Sequence, residues 1–162
     1  MVKHLPPLAG DGTLDFLYLK GDEKMQFTVK DWMIDLVVYV DPDSTVADAL
    51  ALMRRRYIHS LIVNQKEDYP EHGILTSTDI CDKIVASNRN PATTKVRDIC
   101  TAPLIAVRPT MSLQECAEVM HEHRFHHLPV ADENGSLVGM ISATDFLVAA
   151  ESMGRADGDR IE

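Results

Sequence analysis

The strongest constraint on this chain is that it contains itself twice. Val29, Asp31, Val40, Pro42, Met53, His59, Leu61 and Val63 recur 67 positions later as Val96, Asp98, Val107, Pro109, Met120, His126, Leu128 and Val130. After Val63 the offset falls to 66, because the first copy carries one extra loop residue. Gly73, Thr78 and Asp79 then meet Gly139, Thr144 and Asp145. A copy of about 60 residues buries too little apolar surface to stand comfortably alone. The expected object is therefore one pseudo-symmetric α+β domain built from two copies, rather than two free domains.

Each copy reads as strand, helix, strand, strand, helix. Leu36-Val-Val-Tyr-Val40 and Leu104-Ile-Ala-Val107 are short apolar runs stopped by Asp41-Pro42 and Arg108-Pro109, the pattern of a strand entering a turn. Thr45-Val-Ala-Asp48 and Ser112-Leu-Gln-Glu115 are capping boxes. The helices that follow carry apolar stripes at Val46, Ala49, Leu50 and Met53, and at Leu113, Cys116, Ala117 and Met120. Leu61–Val63 and Leu128–Val130 are buried strands. Gly73–Leu75 and Leu137–Ile141 are the third strands, the latter reached through a hairpin turn at Asn134-Gly135. Second helices are expected at 78–88 and 144–153. The boundaries are then an N-terminal extension at 1–26, copies at 27–90 and 91–153, and a polar tail at 154–162. Residues 13–19 and 25–29, with Gly21-Asp22 between them, read as the arms of a hairpin.

Composition excludes several function classes. Asp+Glu 25 against Lys+Arg 16 gives a net charge of −9, which opposes non-specific nucleic-acid binding. No apolar run is long enough to span a membrane, and the N-terminus lacks a secretory leader. Three cysteines without CxxC spacing suit a reducing cytoplasm. No nucleophile has a neighbouring base, and no phosphate-binding glycine loop is present, so an enzyme is not expected.

The sharpest motif is Gly73-Ile-Leu-Thr76-Ser-Thr78-Asp79-Ile and its echo Gly139-Met-Ile-Ser142-Ala-Thr144-Asp145-Phe. One reading is purely structural: Thr78 and Thr144 cap helices, and the aspartates sit in the first turn, where the macrodipole favours a carboxylate. The other is a nucleotide site. A helix start offers free N–H groups to a phosphate, a carboxylate there can accept both hydroxyls of a ribose, and a neighbouring hydroxyl can add a contact. Capping by Thr78 and Thr144 leaves the recurrence of a hydroxyl at Thr76 and Ser142 unaccounted for. A separate cluster, His121, His123, His126 and His127, raises metal binding. Its members lie at a helix end and along a strand whose neighbours face opposite ways, so no metal site is expected.

The paired strand-helix-strand-strand-helix copies, the G-h-h-[ST]-x-x-D-h ends and the H-x-L-x-V strands resemble a tandem pair of cystathionine β-synthase (CBS) domains, a Bateman module, over roughly residues 27–152. The resemblance implies two units packed with pseudo-twofold symmetry, with clefts that bind adenosine nucleotides (AMP, ADP, ATP) or S-adenosylmethionine as ligands; no cofactor is required. One cleft would use Ser142, Thr144 and Asp145, with Asp145 on the ribose and adenine near Ile34 and Val38. The other would use Thr76, Thr78 and Asp79, with adenine near Thr101 and Ile105. Phosphate contacts fall at His59 and at His126 and His127, just before the second strands. The implied function is a non-catalytic ligand sensor, a homodimer that signals in trans to a protein target. The alternative is a structural dimerisation module with empty clefts.

Overall fold

The structure is a computed structural model that describes residues 3–4 and 27–155 of the chain. In chain order the elements are β1 (Lys3–His4), α1 (Val29–Trp32), β2 (Tyr39–Val40), α2 (Val46–Arg56), β3 (Ser60–Val63), β4 (Gly73–Thr76) and α3 (Ser77–Ile80). A π-helical turn, Cys81–Val85, and a 3₁₀ turn, Val96–Asp98, follow. The remainder are β5 (Ile105–Ala106), α4 (Leu113–His123), β6 (His127–Ala131), β7 (Leu137–Ser142) and α5 (Ala143–Arg155). Among the described residues no helix is long and apolar enough to cross a membrane.

The chain divides into two compact units, and the division does not follow the copies. Among the described residues, unit one is Lys3 with Leu36–Ala106, and unit two joins His4 and residues 27–35 to residues 107–155. Each unit thus takes the first helix and the second and third strands of one copy and the lead-in segment of the other, with β5 falling in unit one. Val96, fully buried, belongs to the core of unit one with Val40, Val46, Ala49, Leu61, Val63 and Leu75. Its counterpart Val29, also fully buried, belongs to the core of unit two with Val107, Leu113, Cys116, Leu128, Val130 and Ile141.

The same backbone hydrogen bonds hold both lead-ins. In unit one, Val96 N donates to Ser44 O (2.9 Å), Arg97 N to Pro42 O (3.0 Å) and Val46 N to Thr94 O (2.9 Å). In unit two, Val29 N donates to Met111 O (2.9 Å), Lys30 N to Pro109 O (3.0 Å) and Leu113 N to Phe27 O (3.0 Å). The recurring Pro42 and Pro109 therefore serve as carbonyl acceptors at the point of exchange. Further along, Thr101 and Ile74 exchange a pair of bonds in unit one, as Ile34 and Met140 do in unit two. The motif glycines allow these approaches. A Cβ on Gly139 would lie 2.6 Å from Ile34 O, and one on Gly73 would lie 2.8 Å from Tyr69 Oη and 3.0 Å from Thr101 O.

Several sequence expectations hold as stated. Thr45 and Asp48 form a capping box, with Asp48 N to Thr45 Oγ1 at 3.1 Å and Thr45 N to Asp48 Oδ2 at 3.2 Å. Ser112 and Glu115 do the same. Asp132 Oδ1 accepts from Asn134 N and Ser136 N across the expected hairpin, with Gly135 at φ 81. Neither α2 nor α4 ends in glycine. Tyr57 and Arg124 take the left-handed conformation, and Ile58 N and Phe125 N close the last turns onto Met53 O and Met120 O.

Others need correction. The first strands are shorter than their apolar runs. In unit one only Tyr39 and Val40 pair, in parallel, with Ile62 and Val63; in unit two the equivalent contact is the single bridge of Val107 to Val130. In α4 the buried stripe runs through Val119, while Ala117 is exposed. The helix expected at 78–88 is one α turn followed by the π turn. Of the expected hairpin, the arm at 13–19 lies outside the described residues. The arm at 25–29 is not a strand at its described end: Val29 opens α1, because Asp31 reaches back to Thr28 N at 2.8 Å. The tail from 156 on lies outside the described residues, while α5 continues to Arg155.

Unit one carries an ion-pair network that unit two cannot copy. Asp43 accepts from Lys66 Nζ (2.8 Å), Lys95 Nζ (3.1 Å) and Arg97 Nη2 (3.1 Å). Lys66 also meets Asp41, and Arg97 meets Asp68 and lies 5.6 Å from the Tyr69 ring centroid. Positions 41 and 43 correspond to Arg108 and Thr110 in the second copy. Hydrogen bonds from Lys66 and then Lys95 hold the Asp43 carboxyl well below its usual range, and Lys66 does the same for Asp41.

Two measurements check this fold. A fragment of residues 36–106 keeps Val96 and Ile99 in its core and should unfold more cooperatively than residues 27–90, which lose both; the reverse order in thermal melts would refute the exchange. A carboxylate with a depressed folded pKa contributes stability that is complete above its ordinary pKa near 3.8 and is lost as pH falls through the folded value. Acid melts should therefore lose stability below about pH 4, and Asp43→Asn should flatten that loss while lowering stability at neutral pH.

Candidate functional site

The two motif copies sit at equivalent places, where the last strand of each copy feeds its second helix. In unit one the N-cap is Thr76, not Thr78. Its hydroxyl accepts from Asp79 N at 3.5 Å, and Asp79 Oδ2 accepts from Thr76 N at 2.9 Å and from Thr76 Oγ1 at 3.1 Å. In unit two Asp145 Oδ2 accepts from Ser142 N at 2.7 Å and from Ser142 Oγ at 3.0 Å. In unit one the hydroxyl three residues before the aspartate, which capping at Thr78 left over, is itself the cap; in unit two the Ser142 hydroxyl stands at the same place and donates to Asp145 Oδ2. Thr78 and Thr144 are exposed beyond it, with Thr144 Oγ1 at 2.7 Å from Ser142 Oγ. The cap uses one carboxylate oxygen and leaves Oδ1 for something else.

The lead-in segments run beside both motifs. In unit one Thr101 Oγ1 donates to Asp79 Oδ1 at 3.3 Å, so the expected neighbour from the other copy does reach the motif. Ile105 is half-buried nearby in sequence, in β5. In unit two Ile34 pairs with Met140, two residues before Ser142, and its side chain is 56% exposed. Val38 is not part of this unit; it lies in unit one, where its carbonyl accepts from Ile62 N at 2.9 Å.

The histidines take part through their backbones. His59 O accepts from Ser77 N at 3.1 Å and His126 O from Ala143 N at 2.8 Å, each at the first residue of the second helix. Both residues are exposed, and His127 is half-buried. His123 stacks on Phe125 with ring centroids 5.4 Å apart. Among the described residues no three His, Cys, Asp or Glu side chains converge as a metal site would require.

Sequence reasoning missed Lys83. Its Nζ lies 2.7 Å from Asp79 Oδ1 and 2.6 Å from Ile99 O. The signal was available, since Lys83 stands four residues after Asp79, while the matching position in the second copy is Ala149, a core residue.

Thiol chemistry finds no support in two of the cysteines. Burial pushes the Cys116 thiol up to about 12 and raises that of Cys100, whose Sγ lies 3.0 Å from Tyr69 Oη. A thiol held protonated is a poor nucleophile.

A sequence model of the CBS domain matches residues 29–86 and again 96–152. The chain is 32% identical to the CBS domain-containing protein YhcV of Bacillus subtilis over 132 residues, covering 80% of this chain and 91% of that one. Other curated relatives are longer, and the chain spans 56% of one of them. Among solved structures, the hexameric CBS-CP12 protein from bloom-forming cyanobacteria superposes with a TM-score of 0.73 at 29% identity, over 85% of this chain and 74% of that one. The CBS domain pair of protein MJ0100, in complex with 5′-methylthioadenosine and S-adenosyl-L-methionine, shares the fold at 21% identity, with a TM-score of 0.67 over 79% of this chain and 98% of that one. With two matched copies over most of its length, the chain belongs to the CBS domain family and carries two CBS domains in tandem.

Proposed function

We propose that this chain is a non-catalytic regulatory module that binds an adenosine nucleotide or derivative at its strand-to-helix junctions. The observation that carries this reading is the arrangement in unit two. Asp145 spends one oxygen on Ser142, the Thr144 hydroxyl is exposed beside it, and the neighbouring lead-in offers the exposed Ile34. A carboxylate oxygen suits a ribose diol, a 13-residue helix start suits a phosphate, and an exposed isoleucine gives a base an apolar surface. The methylthioadenosine and S-adenosylmethionine of the MJ0100 pair belong to the same chemical class. Ligand would shift the module between states only by its differential affinity for them, and the output passes in trans to a protein target. The reading includes a homodimer in a reducing cytoplasm, in keeping with the free thiols of Cys81, Cys100 and Cys116.

A second reading, a structural dimerisation module, draws on the exposed apolar side chains of the second helices: Val85 at 72%, Leu147 at 70% and Val148 at 54%. It also gains from the capping role of Thr76, which explains part of the motif without any ligand.

Thermal-shift titration with AMP, ADP, ATP and S-adenosylmethionine separates the two. A ligand at about 100 times its Kd adds about 2.7 kcal/mol and should raise Tm by several degrees, an effect that Asp145→Ala abolishes. A folded protein indifferent to all four, yet dimeric by sedimentation, supports the structural module instead.

A further inference from the structure

The two motifs look alike in sequence but differ in what their aspartates hold. In unit one, the Asp79 side chain is only 9% exposed, and its second oxygen is taken by Lys83 Nζ at 2.7 Å and Thr101 Oγ1 at 3.3 Å. Lys83 is itself anchored to Ile99 O at 2.6 Å. The Lys83 side chain is 42% exposed, but its ammonium holds both Asp79 Oδ1 and Ile99 O, so a ribose diol would have to compete with it for the same carboxylate oxygen. In unit two, the equivalent of Lys83 is the buried Ala149, and among the described residues no cation pairs with Asp145.

The helices differ at the same place. In unit one a single α turn, Ser77–Ile80, gives way to the π turn Cys81–Val85 that carries Lys83, with Ala86 N bonded to Cys81 O at 2.9 Å. In unit two α5 runs unbroken for 13 residues.

We infer that Lys83 acts as an internal plug that closes the unit-one site, so that the chain takes one equivalent of a diol-bearing adenosine ligand, at Asp145 in unit two. This inference rests on the proposed nucleotide reading and fixes which of the two sites works. Lys83 is then a specificity-determining residue, and the repeat has kept one working site and one sealed copy.

Equilibrium dialysis of the full chain with AMP and with S-adenosylmethionine tests it. The wild type should bind one equivalent per chain of whichever probe binds. Asp145→Ala should lose it, and Asp79→Ala should keep it with at most a twofold change in Kd. Lys83→Met should raise the count towards two, and the added equivalent should vanish when Asp79→Ala is combined with it. Lys83→Gln, which removes the charge, gives the same test should Lys83→Met fail to fold; the two aspartate variants decide which site works, and a folded lysine variant that still binds a single equivalent would overturn the plug. Two equivalents in the wild type, or loss of binding in Asp79→Ala with binding kept in Asp145→Ala, would overturn the plug while leaving the nucleotide reading intact. No binding of either probe by any variant would overturn both.

Discussion

Everything in this molecule depends on the lead-in exchange. A strand-helix-strand-strand-helix copy of this size lacks apolar surface, and each unit makes up the deficit with a valine from the other copy: Val96 in unit one and Val29 in unit two, both fully buried. The exchange is fixed by backbone hydrogen bonds rather than by side-chain chemistry, with the Pro42 and Pro109 carbonyls as acceptors. It also builds the sites. The bonds that seat Thr101 against Ile74 and Ile34 against Met140 bring residues of one copy to the catalogue of hydroxyls and carboxylates in the other. The motif glycines follow from the same constraint, since a side chain on Gly139 would collide with the Ile34 backbone.

Much of this was legible in the sequence. The repeat, the capping boxes at Thr45 and Ser112, the Asn134-Gly135 turn and the aspartates of the motif are local patterns with local causes. The exchange was not legible, because Val29 and Val96 look the same whichever core they enter; only long-range pairing decides. The caps were misplaced by two residues for a simpler reason. Thr76 and Thr78 are both competent caps, and the choice depends on where β4 stops, which propensity does not fix. The shortened first strands reflect the same limit, since an apolar run shows what can be buried but not how much of it finds a pairing partner.

The capping geometry changes how the motif should be weighed. The hydroxyl and aspartate of G-h-h-[ST]-x-x-D-h satisfy one another, so the pattern has a structural reason to recur in both copies. What distinguishes a ligand site from a finished helix start is the fate of the second carboxylate oxygen. Asp79 gives it to Lys83 and Thr101. Asp145 has no such neighbours among the described residues, and the proposed choice of site rests on that contrast rather than on the motif.

The most direct test of the account follows backbone amides of the ¹⁵N-labelled protein by NMR as AMP or S-adenosylmethionine is added. The account predicts that Ile34 and Ser142–Asp145 shift first and saturate together, with Thr76–Asp79 and Thr101 left in place. Saturable shifts centred on Asp79 and Thr101, or no saturable shift at either motif, would contradict it.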